Sequence, residues 1–319
     1  MKIENVLLIG GSGFLGSHVA HLLCARGLRV TVPTRRRERA KHLLPLPTAE
    51  VVEANVGEDA ALAALCRGQD AIVNLVGILQ SRAGTPYGAD FAQAHVDLPR
   101  RIVAAARQAG VQRLLHVSAL KASRDGPSAY LRSKADGEAA IREAGAALPW
   151  TIFQPSVVFG PGDSFLNMFA GLARLFPILP LACPGARFQP VFVEDVGAAI
   201  VDSLNDPAAF GQTYELCGPK VYTLKQLVEY VTEVIDTPRV IVGLPDKLSY
   251  LQAMMLEFAP GETVMSRDNY YSMQVDSVCT GCALPFGRQP TALESVAPGY
   301  LKAGGPRMFY DHFREKARR

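Results

Sequence analysis

Residues 6–16 constrain this chain more than any other stretch. They read Val6-Leu7-Leu8-Ile9-Gly10-Gly11-Ser12-Gly13-Phe14-Leu15-Gly16, and an apolar pattern of helical period follows from Ser17 to Leu23. An unbroken apolar run with no polar alternation predicts a strand covered on both faces, as in a parallel sheet. Gly10 permits a tight turn off that strand, Gly13 lets backbone amides approach a pyrophosphate, and Gly16 lets the helix pack close to the strand. Ser12, Phe14 and Leu15 then stand at a helix N-terminus, where free N–H groups and a partial positive charge favour phosphate. A glycine turn with no ligand is the alternative; the placement after a buried strand and before a helix favours a nicotinamide dinucleotide.

The same alternation repeats through the first half. Strands are expected at residues 28–32, 49–54, 71–77, 114–118 and 150–154, and helices at 60–67, 91–109 and 130–144. Strand–helix units of this length predict an α/β fold, a Rossmann-type doubly wound parallel sheet with helices on both faces. The expected dinucleotide-binding domain covers 1–159 plus 190–208. A smaller C-terminal lobe, for substrate or partner, covers 160–189 plus 209–300, and 301–319 is a basic tail. Within these, Asp195 is expected to N-cap a helix over 196–204 and Thr223 one over 224–235, and 213–217 reads as a short strand. The methionine-rich helix over 244–259 reads as core or pocket lining, with a partner- or membrane-facing patch as the alternative.

Ligands of such sheets sit outside the carboxyl ends of the strands. Leu75, Val76 and Gly77 at the end of the fourth strand, and Pro155 at the end of the sixth, are therefore expected beside the cofactor. The second strand runs into Thr34-Arg35-Arg36-Arg37. Arg35 and Arg36 there suit a 2′-phosphate better than a ribose 2′-hydroxyl, which favours NADP(H) over NAD(H); a solvated basic loop is the alternative. Asn55 follows the third strand and either meets the adenine amine or serves as a turn residue. Ser118 closes the fifth strand, and Tyr130 and Lys134 share one face of the next helix. A lysine ammonium beside the phenol favours Tyr130 as a general acid or base, Lys134 also suits the nicotinamide ribose, and Ser118 suits a substrate oxygen.

Composition narrows the class. The 319 residues are 49% hydrophobic and 20% charged, and a net charge of +3 with both signs interspersed calls for no nucleic-acid partner. The cysteines, 24, 66, 183, 217, 279 and 282, read as reduced core residues of a cytoplasmic protein. Cys279 and Cys282 have metal or redox spacing but no second pair, so neither a metal nor a disulfide role is assigned. His116 reads as a packed strand residue and His95 as a loop or helix residue, neither as a catalytic group. No apolar run reaches the roughly 18 residues of a membrane span, so no transmembrane segment is expected, and no secretory leader fits ahead of a strand this close to Met1. The tail over 307–319 mixes aromatic and basic residues; it reads as a frayed terminus or as a contact with an anionic membrane surface or a partner.

Gly10, Gly13, Gly16, Ser118, Tyr130 and Lys134 together resemble the extended or atypical short-chain dehydrogenase/reductases. Pro155-Ser156-Val157-Val158-Phe159-Gly160-Pro161-Gly162-Asp163 and Val191-Phe192-Val193-Glu194-Asp195-Val196 are similar to the segments where that family leaves and rejoins its sheet. Asn74-Leu75-Val76-Gly77, His116-Val117-Ser118-Ala119-Leu120, the segment from Tyr130 to Glu138, and Asp163-Ser164-Phe165-Leu166-Asn167 resemble one branch, the nucleotide-binding accessory subunit of respiratory complex I and its bacterial relatives. That resemblance implies tight NADPH binding with no established turnover. It also implies a partner in a membrane-associated respiratory or quinone-metabolism complex, at the inner face of the membrane. An NADP-dependent oxidoreductase or epimerase acting on a small or quinone- or lipid-like substrate is the alternative. The short interval from Ser118 to Tyr130 departs from the extended group, whose longer loop carries substrate contacts, and this weakens sugar-nucleotide chemistry.

Overall fold

The computed structural model describes residues 2–259, 264–281 and 283–302. The expectations on Cys282 and on the tail beyond residue 302 lie outside the described residues. Contacts divide the chain into two units. The first comprises Met1–Ser156, Val193–Cys217 and Cys279–Gln289, and the second Val157–Phe192, Gly218–Val278 and Pro290–Arg319.

The first unit is built on strands β1 (Asn5–Ile9), β2 (Arg29–Thr34), β3 (Ala49–Glu53), β4 (Ala71–Asn74), β5 (Arg113–Val117), β6 (Trp150–Pro155) and β7 (Gln212–Leu216). They form one parallel seven-stranded sheet in the order β7-β6-β5-β4-β1-β2-β3. Strand β1, which leads into the glycine-rich loop, lies near the centre, with Val6 paired to Val30 on one side and to Ala71 on the other. Strand order therefore reverses between β1 and β4, and the two chains leave the sheet there in opposite directions, opening a crevice at the strands' carboxyl ends.

Helices α1 (Phe14–Ala25), α2 (Asp59–Cys66), α3 (Leu98–Ala109), α4 (Ala129–Arg142) and α5 (Val193–Asp202) cover the sheet. Strand period puts Leu7 and Ile9 on one face, where they join Leu62 and Leu65 of α2, Ile102 and Ala106 of α3 and Ile141 of α4. α1 and α5 pack together where Gly197 leaves room for Val19 and Leu22.

Several elements depart from expectation. The 91–109 helix is not continuous. A helical turn at Ala89–Phe91 leads into a π-helical stretch, Ala92–Asp97, before α3. α5 begins at Val193, so Asp195 stands in its first turn rather than at its cap. The 213–217 strand, assigned above to the smaller lobe, is β7 and completes the main sheet, because its backbone finds the free edge of β6. The cysteines are not all reduced: Cys217 and Cys279 form a disulfide that joins the end of β7 to the returning segment of the first unit, while Cys24, Cys66 and Cys183 are free. Sequence spacing pointed at Cys282 as the neighbour of Cys279; the fold supplies Cys217, distant in sequence, at a Cα separation of 6.1 Å.

The second unit carries three short strand pairs. Val158–Phe159 pairs with Val191–Phe192, Arg187–Phe188 with Tyr222–Thr223, and Ile178–Leu181 with Val240–Gly243. Its core gathers Leu166 and Phe169 of helix Phe165–Leu175, Leu227 and Val231 of helix Leu224–Val234, and Leu293 and Leu301 of helix Leu293–Leu301. Thr223 caps this helix as expected, and Gln226 completes a capping box with it. Asp163 receives the Leu166 amide at 2.7 Å and the Tyr300 hydroxyl at 2.6 Å, which ties the first of these helices to the last. The Asp246–Glu257 helix corrects the core-lining reading: only Ser249 and Ala253 are buried, Tyr250, Met254 and Leu256 are half-buried, and Leu248, Leu251 and Met255 are exposed.

Candidate functional site

The crevice at the end of β1 is made of backbone. Gly10 adopts φ +86°, in the left-handed region, and lies against Leu75 and Val76, just past the end of the neighbouring β4. A methyl group on Gly16 would collide with the Gly10 carbonyl and come within 2.6 Å of the Gly11 Cα, so the first turn of α1 sits directly on the loop. Gly13 is different. It is exposed, and a methyl there would meet only the Gly10 oxygen at 3.4 Å. The loop thus needs glycine at 10 and 16 for its own packing, whereas space is left open beside Gly13.

Helix α1 has no side-chain cap and no acidic residue in its first turn. Its first intrahelical bond runs from the Ser17 amide to the Gly13 carbonyl at 2.9 Å. Helix geometry leaves the amides of Phe14, Leu15 and Gly16 with no intrahelical acceptor, and Ser12 lies half-buried beside them. Free amides at a helix start of this kind suit an anion.

Next to it, β4 ends at Asn74, whose Oδ1 accepts the Val76 amide at 3.2 Å. Leu75 continues the ladder to Ile9, and Gly77 emerges exposed. A side chain at Gly77 would come within 3.1 Å of Lys134 Nζ. Lys134 is only 3% exposed, and its ammonium donates a single long bond, 3.4 Å, to the Val117 carbonyl at the end of β5. Burial pulls its pKa down to about 8, opposed by the Glu138 carboxylate one turn along α4. Ser118, the next residue after β5, has a buried Oγ with no hydrogen-bond partner among the described residues. Tyr130 stands in the first turn of α4, held by the Ser128 N-cap on the Leu131 amide. Its ring centroid is 6.0 Å from Lys134 Nζ.

Sequence reasoning missed the layer beneath. His95, on the π-helical stretch, accepts the Ile78 amide through Nε2 at 3.0 Å and contacts Ser133 Oγ through Nδ1 at 2.9 Å. Ser133 Oγ in turn donates to the Tyr130 carbonyl at 2.8 Å, and the His95 ring lies 5.7 Å from that of Tyr130. One buried imidazole therefore joins the loop after β4 to the helix bearing Tyr130 and Lys134. An acceptor role at Nε2 requires a neutral ring, and burial with the nearby Lys134 charge holds its pKa down to about 2. His116 on β5 pairs with Asn74 Nδ2 at 3.1 Å and is likewise held neutral by burial, down to about 3. The only sequence signal for His95 was its one-turn spacing from Phe91, on which it stacks at 5.2 Å.

The remaining candidates divide. Arg35 and Arg36 are exposed just beyond β2, where Thr34 Oγ1 closes the turn on the Arg36 carbonyl, and no ion pair among the described residues engages either. Asn55 makes turn contacts: Oδ1 receives the Gly57 amide and Nδ2 donates to Glu58, both at 3.0 Å, with one Nδ2 hydrogen left over. Pro155 ends β6 and accepts the Leu120 amide at 3.0 Å. The uncapped α1 amides, the open space at Gly13, the under-bonded Lys134 ammonium and the partnerless Ser118 hydroxyl fit a dinucleotide: phosphates at the first two, a ribose and a reacting oxygen at the last two.

These are the parts of a nucleotide-cofactor-binding Rossmann fold, and residues 6–217 match the NAD dependent epimerase/dehydratase family, to which the chain belongs. More particularly, it is 32% identical over 298 residues to the mouse NADH dehydrogenase [ubiquinone] 1 alpha subcomplex subunit 9, covering 90% of this chain and 77% of that protein. It is 30% identical over 241 residues to the ceramide reductase of Caulobacter vibrioides, covering 76% and 74%. Among solved structures, Bordetella bronchiseptica WbmF in complex with NAD+ superposes with a TM-score of 0.66 at 20% identity, covering 85% and 91%, which shows the shared fold. Among the described residues, no helix is long and apolar enough to cross a membrane.

Proposed function

We propose that the chain is a nicotinamide-dinucleotide-binding accessory protein of an NADH:ubiquinone oxidoreductase, holding NADP(H) in the first unit. The observation that carries the reading is the buried Lys134 ammonium with one 3.4 Å bond, beside the exposed Gly77 and the partnerless Ser118 hydroxyl. A buried charge this poorly satisfied is costly unless a ligand completes its shell. Ribose hydroxyls are the natural complement for Lys134, the α1 amides for the pyrophosphate, and Arg35 and Arg36 for a 2′-phosphate. The similarity to subunit 9 of the mouse ubiquinone-linked NADH dehydrogenase supports the accessory role.

A second reading, an oxidoreductase, is supported by the ceramide reductase relative and by the convergence of Ser118, Tyr130 and Lys134 from β5 and α4. A bound nicotinamide would supply or accept a hydride. In that reading the Tyr130 phenol exchanges a proton with the substrate oxygen, Ser118 Oγ orients that oxygen, and Lys134 favours the phenolate by its charge.

The test is calorimetric titration of purified protein with NADPH and NADH, with mass analysis of any ligand retained through purification. Wild type is expected to favour NADPH, and Arg35→Glu to lose that preference while still binding NADH. Equal affinity of wild type for both coenzymes refutes the 2′-phosphate assignment, and binding of neither refutes the site. If the protein turns over, Tyr130→Phe abolishes the rate and spares coenzyme affinity; an undiminished rate removes Tyr130 from the chemistry.

A further inference from the structure

The second unit carries an apolar face that its own core does not use. Ile178–Leu181 and Val240–Gly243 pair in parallel, Ile178 opposite Val240 and Pro180 opposite Val242. Strand period puts these four residues on one side, and all four are exposed, whereas Leu179 and Leu181 on the other side are buried. The Asp246–Glu257 helix lies alongside, since Gln252 donates to the Pro180 carbonyl at 2.8 Å and Ser249 Oγ receives the Cys183 amide at 3.1 Å. Its small residues Ser249 and Ala253 face inward. Leu248, Leu251, Met255 and, just past the helix, Phe258 recur at helical spacing on the outside, with Met255 66% and Phe258 75% exposed. Strand and helix thus present one continuous aliphatic and aromatic surface of the kind that marks an interaction site.

Charge distinguishes the occupant. Helix Phe165–Leu175 and the two strands contain no acidic residue. The helix beside them has two: Glu257 is paired with Arg267 at 2.8 Å, and Asp246 accepts the Tyr270 hydroxyl at 2.7 Å and keeps its charge. Arg174, Arg239 and Lys247 rim the face, and none of them has a carboxylate partner among the described residues. Arg174 and Arg239 are positioned by single bonds to the carbonyls of Leu301 and Ala173, which leaves their charge uncompensated. We propose that this face seats the protein on an anionic lipid bilayer, with the apolar side chains entering the boundary between headgroups and acyl chains and the three cations meeting lipid phosphates. An interfacial helix with Leu, Met and Phe on one side and basic residues beside them binds membranes in this way. The rim is net basic, three cations against the Asp246 carboxylate, which suits the anionic headgroup layer of a bilayer.

The experiment is co-sedimentation of the full chain, without nucleotide, with phosphatidylcholine vesicles containing or lacking phosphatidylglycerol. Because no coenzyme is present, the outcome is independent of the cofactor reading. Wild type is expected to partition onto phosphatidylglycerol vesicles, less so onto pure phosphatidylcholine, and less so as salt rises. Met255→Glu/Phe258→Glu keeps the basic tail and should lower partitioning about tenfold or more, since one inserted side chain of this size is worth about that factor. Lys247→Glu should give a smaller loss. Both variants replace exposed side chains and should melt as wild type does; if the double variant loses its fold, Leu251→Ser provides the same comparison. The proposal is overturned if wild type ignores both vesicles, if the variants partition like wild type, or if wild type is a dimer in sedimentation velocity that these substitutions convert to monomer, since a second copy then covers the face.

Discussion

Replacing Lys134 with methionine should stabilise the protein without ligand while removing its grip on coenzyme. The side chain is buried, its only hydrogen bond among the described residues is 3.4 Å long, and burial pulls its pKa to about 8 from an ordinary 10.5. At about 1.4 kcal/mol per tenfold change in proton affinity, keeping it charged in the fold costs about 3 kcal/mol at pH 7. Methionine has similar length and no charge, so that cost disappears and only one weak hydrogen bond is lost. The sign with pH follows. Between 8 and 10.5 the unfolded chain holds the proton that the fold has released, so wild-type stability rises with pH across that window. The variant lacks this dependence. Its advantage of about 3 kcal/mol at pH 7 should shrink steadily above pH 8 and be gone near 10.5. Urea unfolding of both proteins at pH 7, 9 and 10.5, without nucleotide, measures this difference. Calorimetry with NADPH should show the variant's affinity reduced at least about tenfold, as expected for loss of a charge-assisted contact. A Lys134→Met protein less stable than wild type at pH 7, or a stability difference that does not change with pH, would refute the argument that this ammonium is held at a cost for a ligand.

Two further outcomes follow from the site's geometry. Gly16→Ala should destabilise the first unit by about 3 kcal/mol or more, because the obstruction is backbone and cannot rotate away, whereas Gly13→Ala should unfold like wild type and lose coenzyme affinity; paired melting and calorimetry curves check both. His95 and His116 are neutral in the fold down to about pH 2 and 3, but each takes a proton in the unfolded chain below about pH 6.5. Stability should therefore fall with acidification at up to about 3 kcal/mol per pH unit, and His116→Gln should roughly halve that slope; an unchanged slope between pH 5.5 and 4.5 would show that other groups govern acid unfolding.

The parts of the site that depend on local chain geometry were legible in sequence. Gly10 at a positive φ, the uncapped start of α1, and Tyr130 and Lys134 on one helix face are all set by neighbours within a turn or two. The order of apolar strands and amphipathic helices likewise foretold the parallel sheet, since only burial on both faces suits runs such as Val6–Ile9. Asn55 shows the limit from the other side: the sequence names it, but its bonds to Gly57 and Glu58 appear only in the folded turn.

What required the folded chain was pairing across long sequence intervals. His95 could not be known to bridge Ile78 and Ser133 before the π-helical stretch was placed against α4, nor Cys217 to meet Cys279, nor β7 to claim the edge of β6. The outward face of the Asp246–Glu257 helix was undecided for the same reason. Periodicity records that a helix has an apolar stripe, but whether that stripe is covered depends on which elements the rest of the chain brings over it, and here Ser249 and Ala253 are the side that is covered.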